Sequence, residues 1–251
     1  MPEFESFDGT SLFYDDQGEG RAVVLLHGFA ADTNINFVRP GIFDRLLDLG
    51  YRVIALDSRG HGLSGKPHGP EAYRDDAMAN DVRALLDHLA LDRCALIAYS
   101  MGTVTALRLA PREPRVQALV LLGAGRHVLD GEAPASRKGM LEAMTTDDPE
   151  SLEEETPRAF RRMADAIRAD RVALAAYLLA ADEPSDVIRL GDVAIPVLVV
   201  AGSDDVTAAA PDEVAARIAG ATAVTVPGDH FTANARPELH HAVETFLAMT
   251  G

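Results

Sequence analysis

Six short apolar runs, each ending in a turn, constrain the fold of this chain more than any other feature of its sequence. They lie at residues 22–26, 52–56, 94–98, 118–122, 196–201 and 223–226. Apolar runs of this length without alternation are typical of strands that are buried on both faces of a parallel sheet. Segments with helical spacing alternate with them, at residues 42–49, 75–89, 101–109, 211–218 and 237–249. This alternation predicts a doubly wound α/β sheet.

Two further regions complete the predicted architecture. Residues 4–7 and 11–14 flank an Asp-Gly turn, a pattern that predicts an antiparallel hairpin at one sheet edge. Residues 126–190 contain no strand-like run, and this stretch of about 65 residues exceeds what a single crossover needs. We therefore expect an α/β core at residues 1–125 and 191–251 and a helical cap insertion at residues 126–190. An ordinary long crossover is the alternative.

The charge and the cysteine content narrow the possible partners and compartment. Lys and Arg number 23 against 39 Asp and Glu, which gives a net charge of −16. A chain this acidic should be repelled by the phosphates of nucleic acid and by anionic membranes. The N-terminus lacks a secretory signal pattern, and the single cysteine, Cys94, cannot form an internal disulfide. We expect a cytoplasmic protein that binds neither nucleic acid nor membrane, and the oligomeric state stays open.

One serine lies where a nucleophile would be held. Ser100 follows the predicted strand 94–98 and precedes the predicted helix 101–109. Small residues flank it at Ala98 and Gly102, close to the G-x-S-x-G pattern of a nucleophile on a tight strand-to-helix turn. Ala98 replaces the first glycine and adds only a methyl group. The alternative is a serine that simply caps an ordinary helix.

An acid and a histidine follow two later strands. Asp205 comes after the run at 196–201, and His230 comes after the run at 223–226. Because the carboxyl ends of parallel strands share one sheet edge, these side chains should meet Ser100 there. Nucleophile, acid and histidine also occur in the chain order that this type of triad has on an α/β sheet. Asp204, the neighbour of Asp205, is a rival for the acid.

Two backbone amides are candidates for holding a developing oxyanion. His27 and Gly28 end the first predicted strand, so a tight turn there can aim the Phe29 N–H at the space above Ser100. The Met101 N–H, at the start of the helix after the serine, would be the second donor.

Five motifs together resemble the α/β-hydrolase superfamily over nearly the whole chain, and in particular its serine esterases and lipases. They are HGF at residues 27–29, DSRGHGLS at 57–64, AYSMG at 98–102, GSDD at 202–205 and GDHF at 228–231. The resemblance implies a mostly parallel, eight-stranded sheet with a small helical cap. It favours Asp205, since the acid in that family usually stands three residues after the strand-end glycine, and it makes His61 structural.

The same resemblance implies the reaction: hydrolysis of a small, apolar carboxylic ester through an acyl-enzyme, without cofactor or metal. We expect Phe29, Tyr99, Val206 and Phe231 at the substrate. Neither a phosphate-binding glycine loop nor metal-ligand spacing is present in the sequence. A serine nucleophile and the absence of tryptophan argue against a haloalkane dehalogenase or an epoxide hydrolase. Hydrolysis of a C–C bond, a lactone or an amide, cofactor-free perhydrolysis, and a non-catalytic ligand receptor remain alternatives.

Overall fold

The computed structural model describes residues 2–74, 76–125, 128–129, 134–181 and 188–250. Asp75, the first residue of one expected helix, lies outside these ranges. Residues 126–127, 130–133 and 182–187 of the expected cap lie outside them as well.

Eight strands form one sheet in the order β1-β2-β4-β3-β5-β6-β7-β8. The strands are β1 Glu3–Glu5, β2 Ser11–Gln17, β3 Ala22–Leu26, β4 Arg52–Leu56, β5 Cys94–Tyr99, β6 Val116–Leu122, β7 Val197–Gly202 and β8 Thr222–Val226. β1 pairs antiparallel with β2, and β2 pairs antiparallel with β4, while all other pairs are parallel. The expected eight-stranded, mostly parallel sheet with an edge hairpin is confirmed.

Helices accompany the sheet along the chain. They are α1 Ile42–Asp48, α2 Ala77–His88, α3 Met101–Leu109, α4 Pro134–Thr145, α5 Glu155–Ala166, α6 Arg171–Ala181, α7 Pro211–Ala215 and α8 Pro237–Met249. No helix in the described part of the chain is long and apolar enough to cross a membrane.

The central strands are apolar throughout because helices cover both faces of the sheet. Along β3, Val24 and Leu26 pack in one core with side chains of α2, α3 and α7. Val23 and Leu25 point the other way, into a second core with α1 and α8. Burying each such side chain contributes about 1.5–3 kcal/mol. β8 differs because it pairs with a neighbour on one side only, and most of its residues are partly exposed.

The helices between β6 and β7 pack beside the C-terminal ends of the strands. Apolar side chains of α4, α5 and α6, among them Met144 and Phe160, form a cluster with Phe29 and Met101. Phe29 follows β3 and Met101 begins the helix after β5, so these helices lie over the sheet edge where Ser100 is found.

A buried ion pair anchors the loop after β4. Arg59 is fully buried, and its guanidinium donates to both carboxylate oxygens of Asp81 at 2.7 and 2.6 Å. It also donates to Asp8 of the edge hairpin at 2.8 Å. These bonds hold the loop that carries Ser58 and His61 against α2 and the edge hairpin.

Candidate active site

Ser100 lies in a strained turn between β5 and α3, with φ 49° and ψ −112°. A non-glycine residue in such a conformation costs about 1–3 kcal/mol and persists only where its surroundings enforce it. Gly102 shows how tight the turn is, because a Cβ there would press into the Leu26 carbonyl oxygen and lie 2.9 Å from that of His27. Ala98 is fully buried within β5, so its methyl group fits where the motif usually has glycine.

A continuous hydrogen-bond chain joins Ser100, His230 and Asp205. The Ser100 Oγ lies 3.0 Å from the His230 Nε2, and the His230 Nδ1 lies 2.8 Å from the Asp205 Oδ2. Because a carboxylate only accepts, the Nδ1 must donate to it, and the Nε2 is left free to accept from the serine hydroxyl. Both His230 and Asp205 are buried.

The turn after β7 decides which of two adjacent acids faces the histidine. The second oxygen of Asp205, Oδ1, accepts from the Thr207 and Ala208 N–H groups at 2.9 and 2.8 Å. The Asp204 side chain is exposed and contacts the Ser203 hydroxyl instead. The structure therefore brings Asp205, and not Asp204, to His230.

Tyr99 fixes the loop that carries His230. Its hydroxyl donates to the His230 carbonyl oxygen at 2.9 Å, and burial raises the pKa of Tyr99, so the phenol remains a donor. Gly123, with φ +63°, leaves room for the imidazole, because a Cβ there would lie 3.1 Å from the His230 Cε1. The residue just before the serine thus holds the backbone of the histidine loop.

The fully buried His27 ring sets the direction of the Gly28–Phe29 peptide. The Ser58 N–H donates to the His27 Nε2 at 2.9 Å, so the proton lies on the Nδ1, which donates to the Gly28 carbonyl oxygen at 2.8 Å. In a planar trans peptide, the next N–H points to the opposite side. The Phe29 N–H therefore points away from His27, and neither it nor the Met101 N–H donates to a residue in the described ranges.

A cavity of about 110 Å³ opens beside Ser100. It is lined by Gly28, Phe29, Ala31, Ile35, Asn36, Tyr99, Ser100, Phe160, Met163, His230, Phe231 and Asn234. Most of these side chains are apolar, and the Phe160 and Phe231 rings meet edge to face at 5.3 Å. Small, apolar pockets with a few polar groups are typical of small-molecule sites.

Three of the four expected substrate residues line this cavity, namely Phe29, Tyr99 and Phe231. Val206 is not one of the lining residues, and it is 81% exposed. Asn36 and Asn234 line the cavity without having been anticipated from the sequence. Asn36 lies in a π-helical turn, Asn34–Val38, which belongs to no sequence motif.

His61 is buried in the loop after β4 and is not one of the residues that line the cavity beside Ser100. Its Nδ1 donates to the Arg59 carbonyl oxygen at 3.0 Å, and its ring packs near His27 and Phe29. Burial lowers the pKa of His61 to about 3, so the ring is neutral at ordinary pH. Within the described ranges, no group of three or more His, Cys, Asp or Glu side chains could hold a metal ion.

The geometry provides what attack on a carbonyl carbon needs. It offers a hydroxyl with a proton acceptor, a carboxylate that orients the acceptor, and two backbone N–H groups nearby that have no partner among the residues the structure describes.

The chain matches one protein family and resembles several characterised proteins. Residues 21–154 match the family described as alpha/beta hydrolase fold. A non-heme chloroperoxidase of Kitasatospora aureofaciens is 36% identical over 126 residues, which cover 49% of this chain and 44% of that protein. The match therefore spans less than half of the chloroperoxidase's own length.

Two relatives match over nearly their whole length. A 3-oxoadipate enol-lactonase of Acinetobacter baylyi is 29% identical over 267 aligned positions, which cover 98% of each chain. The crystal structure of an enol-lactonase from Burkholderia xenovorans superimposes with a TM-score of 0.75 and 25% identity, covering 98% of this chain and 100% of that one.

Proposed function

This chain belongs to the alpha/beta hydrolase fold family, and on that premise we propose that it is a serine hydrolase that cleaves small carboxylic esters. The observation that carries the proposal is the hydrogen-bond chain from Asp205 through His230 to Ser100. A serine is a weak nucleophile until an adjacent base takes its proton, and here the His230 Nε2 is 3.0 Å from the hydroxyl.

In the proposed reaction, Ser100 attacks the ester carbonyl carbon while the His230 Nε2 takes the hydroxyl proton. Asp205 orients the ring and stabilises the imidazolium that forms. The Phe29 and Met101 N–H groups hold the tetrahedral oxyanion, and one such donor is typically worth about 10²–10³ in kcat. His230 then protonates the departing alcohol, and water activated by the same nitrogen releases the acid from Ser100.

The cavity favours a small substrate with an apolar portion. Phe160 and Met163 of α5 line it together with Ile35 and Phe231. We further propose that α4, α5 and α6 act as a cap that shields the acyl-enzyme from bulk water, since their apolar cluster includes Phe29.

A lactone, which is a cyclic ester, is the second candidate substrate. Two proteins that match this chain over 98% of its length carry the name enol-lactonase. The chemistry is the same, except that the alcohol stays tethered to the acyl group when the ring opens.

Hydrolysis of short p-nitrophenyl esters tests the proposal. Ser100→Ala should lower kcat/KM by at least about 10⁴-fold, as loss of a triad nucleophile does. Asp205→Asn should lower it by about 10⁴-fold, because an asparagine cannot keep the imidazole in the required tautomer. Asp204→Asn is the matched control and should stay within about twofold of the wild type, as expected for an exposed surface position.

Ester turnover that persists in Ser100→Ala would overturn the proposed mechanism. A larger loss in the Asp204 variant than in the Asp205 variant would show that the acid has been assigned to the wrong residue.

A further inference from the structure

Two buried carboxamides line the cavity beside Ser100 and play no part in the proposed proton transfers. Asn36 is 8% exposed and Asn234 is 5% exposed. A Cβ built on Gly28 would lie 3.3 Å from both the Asn36 Oδ1 and the Ser100 Cβ. The Asn36 carboxamide is therefore next to the nucleophile.

The hydrogen bonds fix which way each carboxamide faces. The Asn36 Oδ1 accepts from the Gly28 N–H at 2.7 Å, and a backbone N–H can only donate. The Asn234 Nδ2 donates to the Asn36 carbonyl oxygen at 3.2 Å, and a carbonyl can only accept. Neither amide can be flipped without losing its bond.

The other polar atom of each carboxamide takes no part in these hydrogen bonds. The Asn36 Nδ2, a donor, and the Asn234 Oδ1, an acceptor, have no hydrogen-bond partner among the residues the structure describes. Neither atom is among the fully buried side-chain atoms that lack a partner in the described ranges, so each is open to the space beside it. An unused donor and an unused acceptor in one substrate cavity therefore point to a group of the ligand that both accepts and donates.

The side chains around the cavity favour a neutral polar group on the ligand over a charged one. None of its lining residues in the described ranges is Lys or Arg, and the chain carries a net charge of −16. A carboxylate on the substrate would find no cationic partner among these residues.

We propose that Asn36 and Asn234 form a subsite for a hydroxyl group on the acyl chain, so that the preferred substrate is a small hydroxy ester. This inference rests on the proposed ester hydrolysis. The hydroxyl accepts from the Asn36 Nδ2 and donates to the Asn234 Oδ1. Both carboxamides line the cavity that holds Ser100, so the hydroxyl belongs on the acyl chain close to the scissile carbonyl, and a 3-hydroxy ester is the form to test.

A matched pair of esters tests the subsite. Acid release is followed for methyl 3-hydroxybutyrate and methyl butyrate, which share the leaving group and the chain length, and the ratio of their kcat/KM values is compared. The wild type should prefer the hydroxy ester by about tenfold, which corresponds to about 1.4 kcal/mol. Methyl hydrogen succinate, the anionic analogue, should be the slowest of the three.

Two variants remove the two halves of the subsite. Asn234→Leu keeps the branched shape of the side chain, with a somewhat larger volume, but offers no acceptor and no donor to Asn36. Asn36→Asp keeps the acceptor for Gly28 but replaces the donor by a carboxylate oxygen. Each should bring the ratio close to one, whatever it does to the absolute rates. Met163→Leu, an apolar change in the same cavity, is the control and should keep the wild-type ratio.

The outcomes separate failure of the subsite from failure of the reaction. Ser100-dependent hydrolysis of methyl butyrate with a wild-type ratio near one would overturn the subsite alone. A tenfold preference that survives in whichever of the two variants folds would also overturn it. Preferred hydrolysis of methyl hydrogen succinate would overturn the neutral ligand class, and no Ser100-dependent hydrolysis of any ester would overturn both proposals.

Discussion

Replacing His27 by asparagine or by glutamine separates the two hydrogen bonds that this buried ring makes. An asparagine amide reaches the position of the imidazole Nδ1, so it can still donate to the Gly28 carbonyl oxygen. A glutamine amide reaches the position of the Nε2, so it can still accept from the Ser58 N–H. In the wild type the two bonds measure 2.8 and 2.9 Å, and each variant keeps one of them.

The two variants should lose different properties: His27→Asn mainly stability, and His27→Gln mainly catalytic rate. His27→Asn leaves the buried Ser58 N–H unsatisfied, which costs about 1–3 kcal/mol of unfolding free energy, but it keeps the direction of the Phe29 N–H. His27→Gln frees the Gly28 carbonyl, so the Phe29 N–H is no longer held toward the oxyanion. Complete loss of one such donor costs about 10²–10³ in kcat, and misalignment should cost about 10–10².

Urea unfolding and ester kinetics, measured on the same preparations, resolve the two effects. We expect His27→Asn to lose more stability and His27→Gln to lose more kcat, with KM little changed in either. Equal kcat losses in the two variants, or a larger loss in His27→Asn, would refute the link between this ring and the oxyanion site.

Two further predictions follow from other buried groups. Tyr99→Phe removes the donor to the His230 carbonyl oxygen, so it should lower the unfolding free energy by about 1–3 kcal/mol. It should also lower kcat, with a smaller effect on KM. Urea unfolding and steady-state kinetics check this, and an unchanged kcat would contradict a positioning role for Tyr99. The pKa of His61, lowered to about 3 by burial, lies below the unfolded value of about 6.5. Between these pH values the unfolded chain binds a proton that the folded chain excludes, so stability should fall with falling pH by up to about 1.4 kcal/mol per unit. Urea unfolding from pH 7 to pH 4 should show a shallower loss for His61→Asn, and parallel curves would contradict this burial effect.

The sequence predicted the bounds of helices and strands best where neighbouring residues along the chain determine them. β3 and α3 begin and end where their patterns predict, because continuous apolar runs and the turn residues around Ser100 are local signals. The order of the strands has no such signal, since pairing of β3 with both β4 and β5 depends on crossovers and on packing between distant segments.

The residues of the candidate site also divide into those that the local sequence predicts and those that depend on tertiary packing. Ser100 and His230 follow predicted strands, and the structure brings them within hydrogen-bond distance. The sequence could not decide firmly between Asp204 and Asp205, because the deciding factor is a turn whose N–H groups satisfy one carboxylate and leave the other exposed. Asn36 could not be found, since its approach to Ser100 depends on how a π-helical turn packs against Gly28 after β3 and against Asn234 after the histidine loop.

Intact mass after reaction with a fluorophosphonate tests the central claim, an activated Ser100, most directly. The reagent bonds to a serine whose proton a neighbouring base can take. The structure predicts one adduct on the wild-type chain and none on Ser100→Ala, with much slower labelling of Asp205→Asn than of Asp204→Asn. An unlabelled wild type, or equal labelling of wild type and Ser100→Ala, would contradict an activated nucleophile at this position.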